Sequence, residues 1–273
     1  MLCFPNAKIN IGLNIIERRP DNFHNIETVF YPIPLSDILE IIEKDKISDR
    51  KADLSVTGKE IPGDPDSNLS IKAYHLLDAD FDLPPVSIYL HKIIPMGAGL
   101  GGGSSDGAFT LTLLNRMFDL KLNIAQLTAY AEKLGSDCAF FIENKLALGT
   151  GKGNILEKLL LNLSDYYLVL VQPQVFVGTA EAYAGIIPRK PSDQISKLIG
   201  LPLNDWNNRI KNDFEESVFQ KHPEIKYVKD QLYQRGAVFA SMTGSGSAVY
   251  GIFEVEVNLK NLFNGMFYWG GRL

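Results

Sequence analysis

Apolar residues occupy every second position after Lys8: Ile9, Ile11, Leu13 and Ile15 alternate with Asn10, Gly12 and Asn14. A period of two marks a strand with one buried face, and it predicts a strand over residues 8–15. Lys8, Asn10 and Asn14 share the opposite face, so a lysine head and an asparagine head stand side by side. Strand-like runs recur at 26–31, 38–42 and 54–57, separated by Pro, Asp and Gly. A short helix is predicted over 70–77. A strand over 86–94 then leads straight into Pro95 and a cluster of glycines.

Beyond that cluster, Ala108, Leu111, Leu114 and Phe118 recur at intervals of three and four, the spacing of an amphipathic helix. Ser104, Ser105 or Asp106 supplies its N-cap. A second helix spans 124–134, with Asn123 and Gln126 in capping-box spacing and Gly135 as its stop. Past a turn at 149–153 come a strand at 166–171, a helix at 224–233 and strands at 237–240 and 248–253. Strands and helices mix without a regular βαβ repeat, which indicates an α+β fold. A boundary near residue 155 divides the chain into domains 1–155 and 156–273.

Six of the 23 glycines fall within eleven residues, at Gly97, Gly99, Gly101, Gly102, Gly103 and Gly107. Strand, then Pro95-Met96-Gly97-Ala98-Gly99-Leu100-Gly101-Gly102-Gly103-Ser104-Ser105, then helix, is an arrangement suited to an anion. Glycine lets backbone N–H groups approach a ligand without a Cβ in the way, and a helix N-terminus adds about half a positive charge. Phosphate is the usual occupant. Ser104 and Ser105 add hydroxyl donors.

Three readings compete for this loop. A helix entry that binds nothing needs fewer glycines. A dinucleotide site fits the letter of Gly97-x-Gly99-x-x-Gly102, but the acidic residue that should close the next strand is missing, since Asp119 lies between two helices. The third reading is a nucleoside triphosphate site of a different kind from Gly-x-x-x-x-Gly-Lys-[Ser/Thr], a pattern that Gly151-Lys152-Gly153 does not meet.

Charge narrows the partners. With 27 Lys+Arg against 32 Asp+Glu, the net charge is -5, which offers no basic field for a nucleic acid. Cys3 and Cys138 have neither disulfide-framework nor metal-ligand spacing. No leader pattern and no run of about 18 apolar residues is present. These features predict a cytoplasmic protein without nucleic-acid or membrane partners.

The loop at 95–105 resembles the phosphate-binding loop of the GHMP kinases (galactokinase, homoserine kinase, mevalonate kinase and relatives), and Thr243-Gly244-Ser245-Gly246 is similar to their C-terminal glycine motif. Pro5-Asn6-Ala7-Lys8-Ile9-Asn10, Asp21-Asn22-Phe23-His24, the doubled-glycine form at 100–105 and Gly135-Ser136-Asp137 are similar to one branch. That branch phosphorylates a diphosphocytidyl methylerythritol of the non-mevalonate isoprenoid route. The resemblance runs, with gaps, from residue 5 to about residue 253. It implies a two-domain α+β fold with the active site in the interdomain cleft and an unusual left-handed crossover. It also implies ATP as donor with Mg²⁺, a small-molecule acceptor, and a monomer or homodimer. The alternative within the family is a homoserine or mevalonate kinase; outside it, a catalytically idle nucleotide-binding module.

Phosphoryl transfer to an alcohol needs a held γ-phosphate, an acceptor for the hydroxyl proton and positive charge near the nucleophile. The loop supplies the first. Asp137, just past a helix stop, is the candidate for the second and Lys8 for the third, and the two positions form the catalytic pair of the resembled family. The competing roles are a helix cap for Asp137 and a solvated strand edge for Lys8. The resemblance places Asn10, Phe23, His24, Lys92, Thr179 and Tyr183 at the acceptor, with Phe23 and Tyr183 sandwiching the base and His24 reading its edge. Phe23 stands where the family usually has Tyr. Asn68 is carried over toward the adenine, and no residue is assigned to a metal. Asp106 adds a carboxylate that stabilises the helix start or assists Mg²⁺. His222 has no partner pattern, and the segment after Phe253 has no assigned role.

Overall fold

The computed structural model describes residues 1–45 and 50–273. Its strands are β1 (Leu2–Cys3), β2 (Asn6–Arg18), β3 (His24–Ser36), β4 (Ile38–Glu43), β5 (Ala52–Gly58), β6 (Val86–Lys92), β7 (Ala147–Thr150), β8 (Ile155–Lys158), β9 (Tyr167–Gln172), β10 (Phe239–Met242), β11 (Val249–Phe253) and β12 (Phe267–Arg272). The α-helices are α1 (Leu69–Phe81), α2 (Gly102–Met117), α3 (Ile124–Leu134), α4 (Cys138–Glu143), α5 (Thr179–Ala184), α6 (Ile195–Leu198), α7 (Phe214–Lys221) and α8 (Pro223–Gln234). Mixed strands and helices make this an α+β protein, as the pattern predicted. No helix among the described residues is long and apolar enough to cross a membrane.

The chain forms two compact units that interleave in sequence. The first contains Met1–Ala7, Leu35–Met96 and Gly101–Asn144; the second contains Lys8–Pro34, Gly97–Leu100 and Lys145–Leu273.

In the first unit the sheet order is β1-β4-β6-β5. β5 and β6 run parallel and are joined through α1. Leu39, Ile41, Ile88 and Leu90 of the sheet share a core with Ile71, Tyr74 and Leu77 of α1 and Leu111 and Leu114 of α2. The capping box of α3 forms as its spacing predicted, Asn123 and Gln126 exchanging hydrogen bonds at 2.9 and 3.0 Å. α2 departs from expectation. It begins at Gly102, so Ser104, Ser105 and Asp106 lie inside the helix, and the N-cap is Gly101, at φ 70° and without a side-chain cap. The sequence favoured hydroxyl and carboxylate caps, but a helix entered through a left-handed turn requires glycine instead.

The second unit holds the sheets β2-β3-β7-β8 and β10-β11-β9-β12. β2 also departs from expectation, because the face predicted to be open is covered: Lys8 and Asn10 are 3% and 2% exposed. β12, made from the segment with no assigned role, pairs antiparallel with β9 from Phe267↔Gln172 to Arg272↔Tyr167. Tyr268 packs against the core of this unit.

Candidate active site

Lys8 is held inside the second unit by β2. Its Nζ donates to Asn10 Oδ1 at 2.6 Å and to the carbonyl of Gly99 at 3.0 Å, and it lies 5.3 Å from the centre of the Phe30 ring. The two heads stand side by side as the alternation predicted. Asn10 continues the network: its Nδ2 donates to Thr28 Oγ1 at 3.0 Å and its N–H to Thr243 Oγ1 at 3.0 Å. Thr243 Oγ1 in turn donates to the Gly99 carbonyl at 3.1 Å, and the Tyr250 hydroxyl donates to the Asn10 carbonyl at 3.0 Å. A buried amine is tolerated here because oxygen partners replace its water. The reading of Lys8 as a solvated strand edge does not hold.

The two glycine motifs meet main chain to main chain within this unit. A Cβ on Gly99 (φ 80°) would lie 1.9 Å from the Thr243 carbonyl oxygen, and one on Gly246 would lie 2.2 Å from Gly99 N. Part of the glycine excess therefore serves backbone packing. Gly103, in the first turn of α2 in the other unit, differs: a Cβ there would meet nothing within 4 Å. That turn has no side-chain cap, so its N–H groups have the open approach that an anion requires.

In the first unit, Asp137 occupies the N-cap position of α4, but its carboxylate accepts no capping hydrogen bond from that helix. The helix-cap reading therefore does not explain it. Asn68 caps α1, its Oδ1 accepting from Ser70 N at 2.9 Å. Cys3 and Cys138 are unpaired thiols, and burial pushes both up to about 11. Neither is a nucleophile at neutral pH.

Lys92 does not sit where the acceptor reading placed it. Its side chain is fully buried, with Nζ 2.5 Å from Asp37 Oδ2 and 2.7 Å from Asp106 Oδ2. An ammonium enclosed by two carboxylates has no exposed face for a substrate. Asp106 is corrected with it: its carboxylate lies beneath α2 on Lys92, neither stabilising the helix start nor open to a Mg²⁺. Burial pushes the Asp106 carboxyl up to about 7 against the pull of the Lys92 charge, Asp37 adding to the rise. Sequence reasoning missed Asp37, because a partner 55 residues away leaves no local signal.

The remaining acceptor candidates gather in the second unit. His24 stacks on Tyr183 with ring centroids 4.8 Å apart and 22° between planes, and Phe214 meets Tyr183 edge-on at 4.9 Å. The predicted sandwich partner, Phe23, stands 57% exposed beneath Lys152 Nζ, 4.6 Å from its ring centre. Burial first, and then the Arg18 charge, hold the His24 imidazole below its ordinary value. It is therefore neutral at pH 7. Thr179 opens α5 and accepts from Ser245 Oγ, in the second glycine motif, at 3.3 Å. His222, read as partnerless, bonds Glu181 through Nε2 at 3.0 Å.

Two segments match one family: residues 68–145 match its N terminal domain and residues 195–267 its C terminal one. The chain belongs to the GHMP kinases. A curated relative from Bacteroides thetaiotaomicron, named 4-diphosphocytidyl-2-C-methyl-D-erythritol kinase, is 52% identical over 275 residues, covering 100% of both chains. The crystal structure of a 4-(cytidine 5'-diphospho)-2C-methyl-D-erythritol kinase matches with a TM-score of 0.80 and 28% identity, over 99% of this chain and 98% of that one. A homoserine kinase from Cytophaga hutchinsonii matches with a TM-score of 0.69 at 17% identity, over 98% of this chain and 94% of that one. The last likeness extends to the fold alone.

Proposed function

We propose that this chain transfers the γ-phosphate of ATP to the C2 hydroxyl of 4-diphosphocytidyl-2-C-methyl-D-erythritol, giving the 2-phosphate and ADP in non-mevalonate isoprenoid biosynthesis. The observation that carries the reading is 52% identity along the whole chain to a relative of that name. The homoserine kinase alternative stands at 17%. The ring pair of His24 and Tyr183 supports an acceptor that bears a flat base, which neither homoserine nor mevalonate has.

In this reading the loop from Pro95 to Ser105 holds the ATP phosphates through main-chain N–H groups and the Ser104 hydroxyl, and Asn68 lies toward the adenine. Asp137 accepts the proton of the acceptor hydroxyl as transfer proceeds. Lys8 stabilises charge that develops on the reacting oxygens and keeps the loop in place through Gly99. Asn10 and Thr179 bind the acceptor, and the neutral His24 reads the base edge. Lys92 is reassigned below.

Mg²⁺ would be bound with the phosphates of the nucleotide, and the open space beside Gly103 suits a phosphate that carries its own cation. When bound, Mg²⁺ neutralises phosphate charge in the transition state. The family's two domains are proposed as 1–155 and 156–273, with one matched segment on each side. The enzyme is proposed to act in the cytoplasm as a monomer or homodimer. The test is ADP release measured in parallel with the cytidyl acceptor, mevalonate and homoserine. Turnover confined to the cytidyl acceptor is expected; turnover only with either of the others would refute the assignment.

A further inference from the structure

Three ionisable side chains of the first unit are buried together and have no part in the proposed chemistry: Asp37, Lys92 and Asp106, with side chains 0%, 0% and 2% exposed. Their positions in the chain give the cluster its meaning. Lys92 is the last residue of β6, immediately before the segment that becomes the glycine loop, and Asp106 lies one turn into α2, immediately after it. One ammonium therefore ties the two stems of the loop to each other.

Asp37 supplies the third anchor. Its Oδ2 pairs with Lys92 Nζ, and its Oδ1 accepts from the N–H groups of Ile93 at 2.6 Å and Ile94 at 2.8 Å. The carboxylate thus orients the two residues that follow β6 and lead into the loop. Asp37 is fastened in turn, its N–H donating to the Pro5 carbonyl at 2.8 Å.

Gly102 makes the crossing possible. A Cβ there would lie 3.0 Å from Lys92 Nζ and 2.8 Å from Ile94 Cγ2, so a side chain at the first residue of α2 would crowd the path by which the ammonium passes beneath the helix to Asp106. This explanation of Gly102 is independent of any anion. Asp106 Oδ2 accepts from Lys92 Nζ at 2.7 Å, while Oδ1 has no hydrogen-bond partner among the described residues.

We propose that Lys92 is a positioning residue for the phosphate donor, clamped between Asp37 and Asp106 so that the entry strand and the exit helix of the glycine loop are held in fixed relation. The proposal rests on the reading that this loop holds the ATP phosphates. Its consequence is selective. Loosening the clamp at Asp106 weakens ATP binding and leaves acceptor binding alone, because the acceptor residues that remain assigned belong to the second unit and the cluster to the first.

The test compares wild type with Asp106→Ala and Asp106→Asn in steady-state kinetics, each variant checked for a cooperative thermal melt. Asp106→Ala removes the tether and should raise KM for ATP about tenfold, the scale of one lost charge-assisted hydrogen bond. Its kcat and acceptor KM should stay within about twofold. Asp106→Asn retains an oxygen acceptor for Lys92 and should restore KM for ATP to within about threefold of wild type. A folded alanine variant with wild-type KM for ATP, or with kcat and both KM values altered alike, overturns the proposal. Should the alanine chain not fold, Asp106→Ser, whose hydroxyl is too short to reach Lys92, must show the same pattern. If neither folds, the cluster is a stability element and the proposal falls. A wild-type protein that does not use ATP at all would instead remove the functional reading beneath it.

Discussion

Lys8 Nζ donates to the main-chain carbonyl of Gly99 at 3.0 Å, joining positions 91 residues apart in the chain. The lysine proposed to stabilise transferred charge also fixes the backbone of the loop proposed to hold the donor. Replacing it with Met should therefore damage two parameters at once. We expect Lys8→Met to lower kcat on the order of 10² to 10³-fold and to raise KM for ATP as well. Arg should not substitute, because a planar guanidinium does not fit a site that is 3% exposed and shaped around a compact ammonium. Unchanged kcat in the Met variant would remove Lys8 from the chemistry.

Asp137 offers a cleaner separation, since its carboxylate does not cap α4. Asp137→Asn should lower kcat by on the order of 10² to 10⁴-fold, as expected for loss of a general base. Its melting temperature and its affinity for ATP, measured by calorimetry, should match wild type. Near wild-type turnover would show that the hydroxyl proton goes elsewhere.

Gly99 tests the contact between the two glycine motifs. Alanine there combines a left-handed φ of 80° with a Cβ 1.9 Å from the Thr243 oxygen. The backbone must shift, and the cost should be about 2 kcal/mol or more in chemical denaturation. Gly103→Ala, with nothing within 4 Å of its Cβ, should leave stability nearly unchanged and raise KM for ATP, because the added methyl occupies phosphate space. Equal stability losses at the two sites would contradict this division of labour.

Tyr183 contacts both His24 and Phe214 through its ring. Tyr183→Leu should raise KM for the cytidyl acceptor by about tenfold or more, the scale of one lost base stack, with KM for ATP unchanged. An effect on ATP alone would place the base elsewhere.

Asp106 makes stability depend on pH in a definite direction. Its folded carboxyl is held at about 7 against an ordinary 3.8, by burial first and by Asp37, with Lys92 opposing. A raised carboxyl binds a proton that the unfolded chain has released, so its contribution is present below about pH 4 and is lost as pH rises toward 7. The melting temperature of wild type minus that of Asp106→Asn should therefore fall between pH 5 and pH 8, by about 3 °C or more. A flat difference across that range would show that Asp106 titrates normally.

Much of this was legible along the chain. Period two over residues 8–15, the capping box at Asn123 and Gln126, and the glycine run between a strand and a helix are short-range patterns. Their physics is settled by neighbours one to four positions apart, and the structure forms all three elements. The resemblance carried by the glycine motifs and by the segments around Lys8 and Asp137 likewise needed only local spacing.

What each polar group does was settled by partners far away. Lys92 looks like any strand-end lysine until folding brings Asp37 and Asp106 to either side of it, and burial then converts a candidate substrate contact into an internal clamp. Gly99 and Gly246 look like anion-binding glycines until each is found to leave room for the other's backbone. Sequence by itself determined the elements, the family and the chemistry the chain is equipped for, because those follow from periodicity and motif spacing. Only the tertiary structure decided which charges are buried and which glycines serve packing, because burial and close approach are properties of residues remote in sequence.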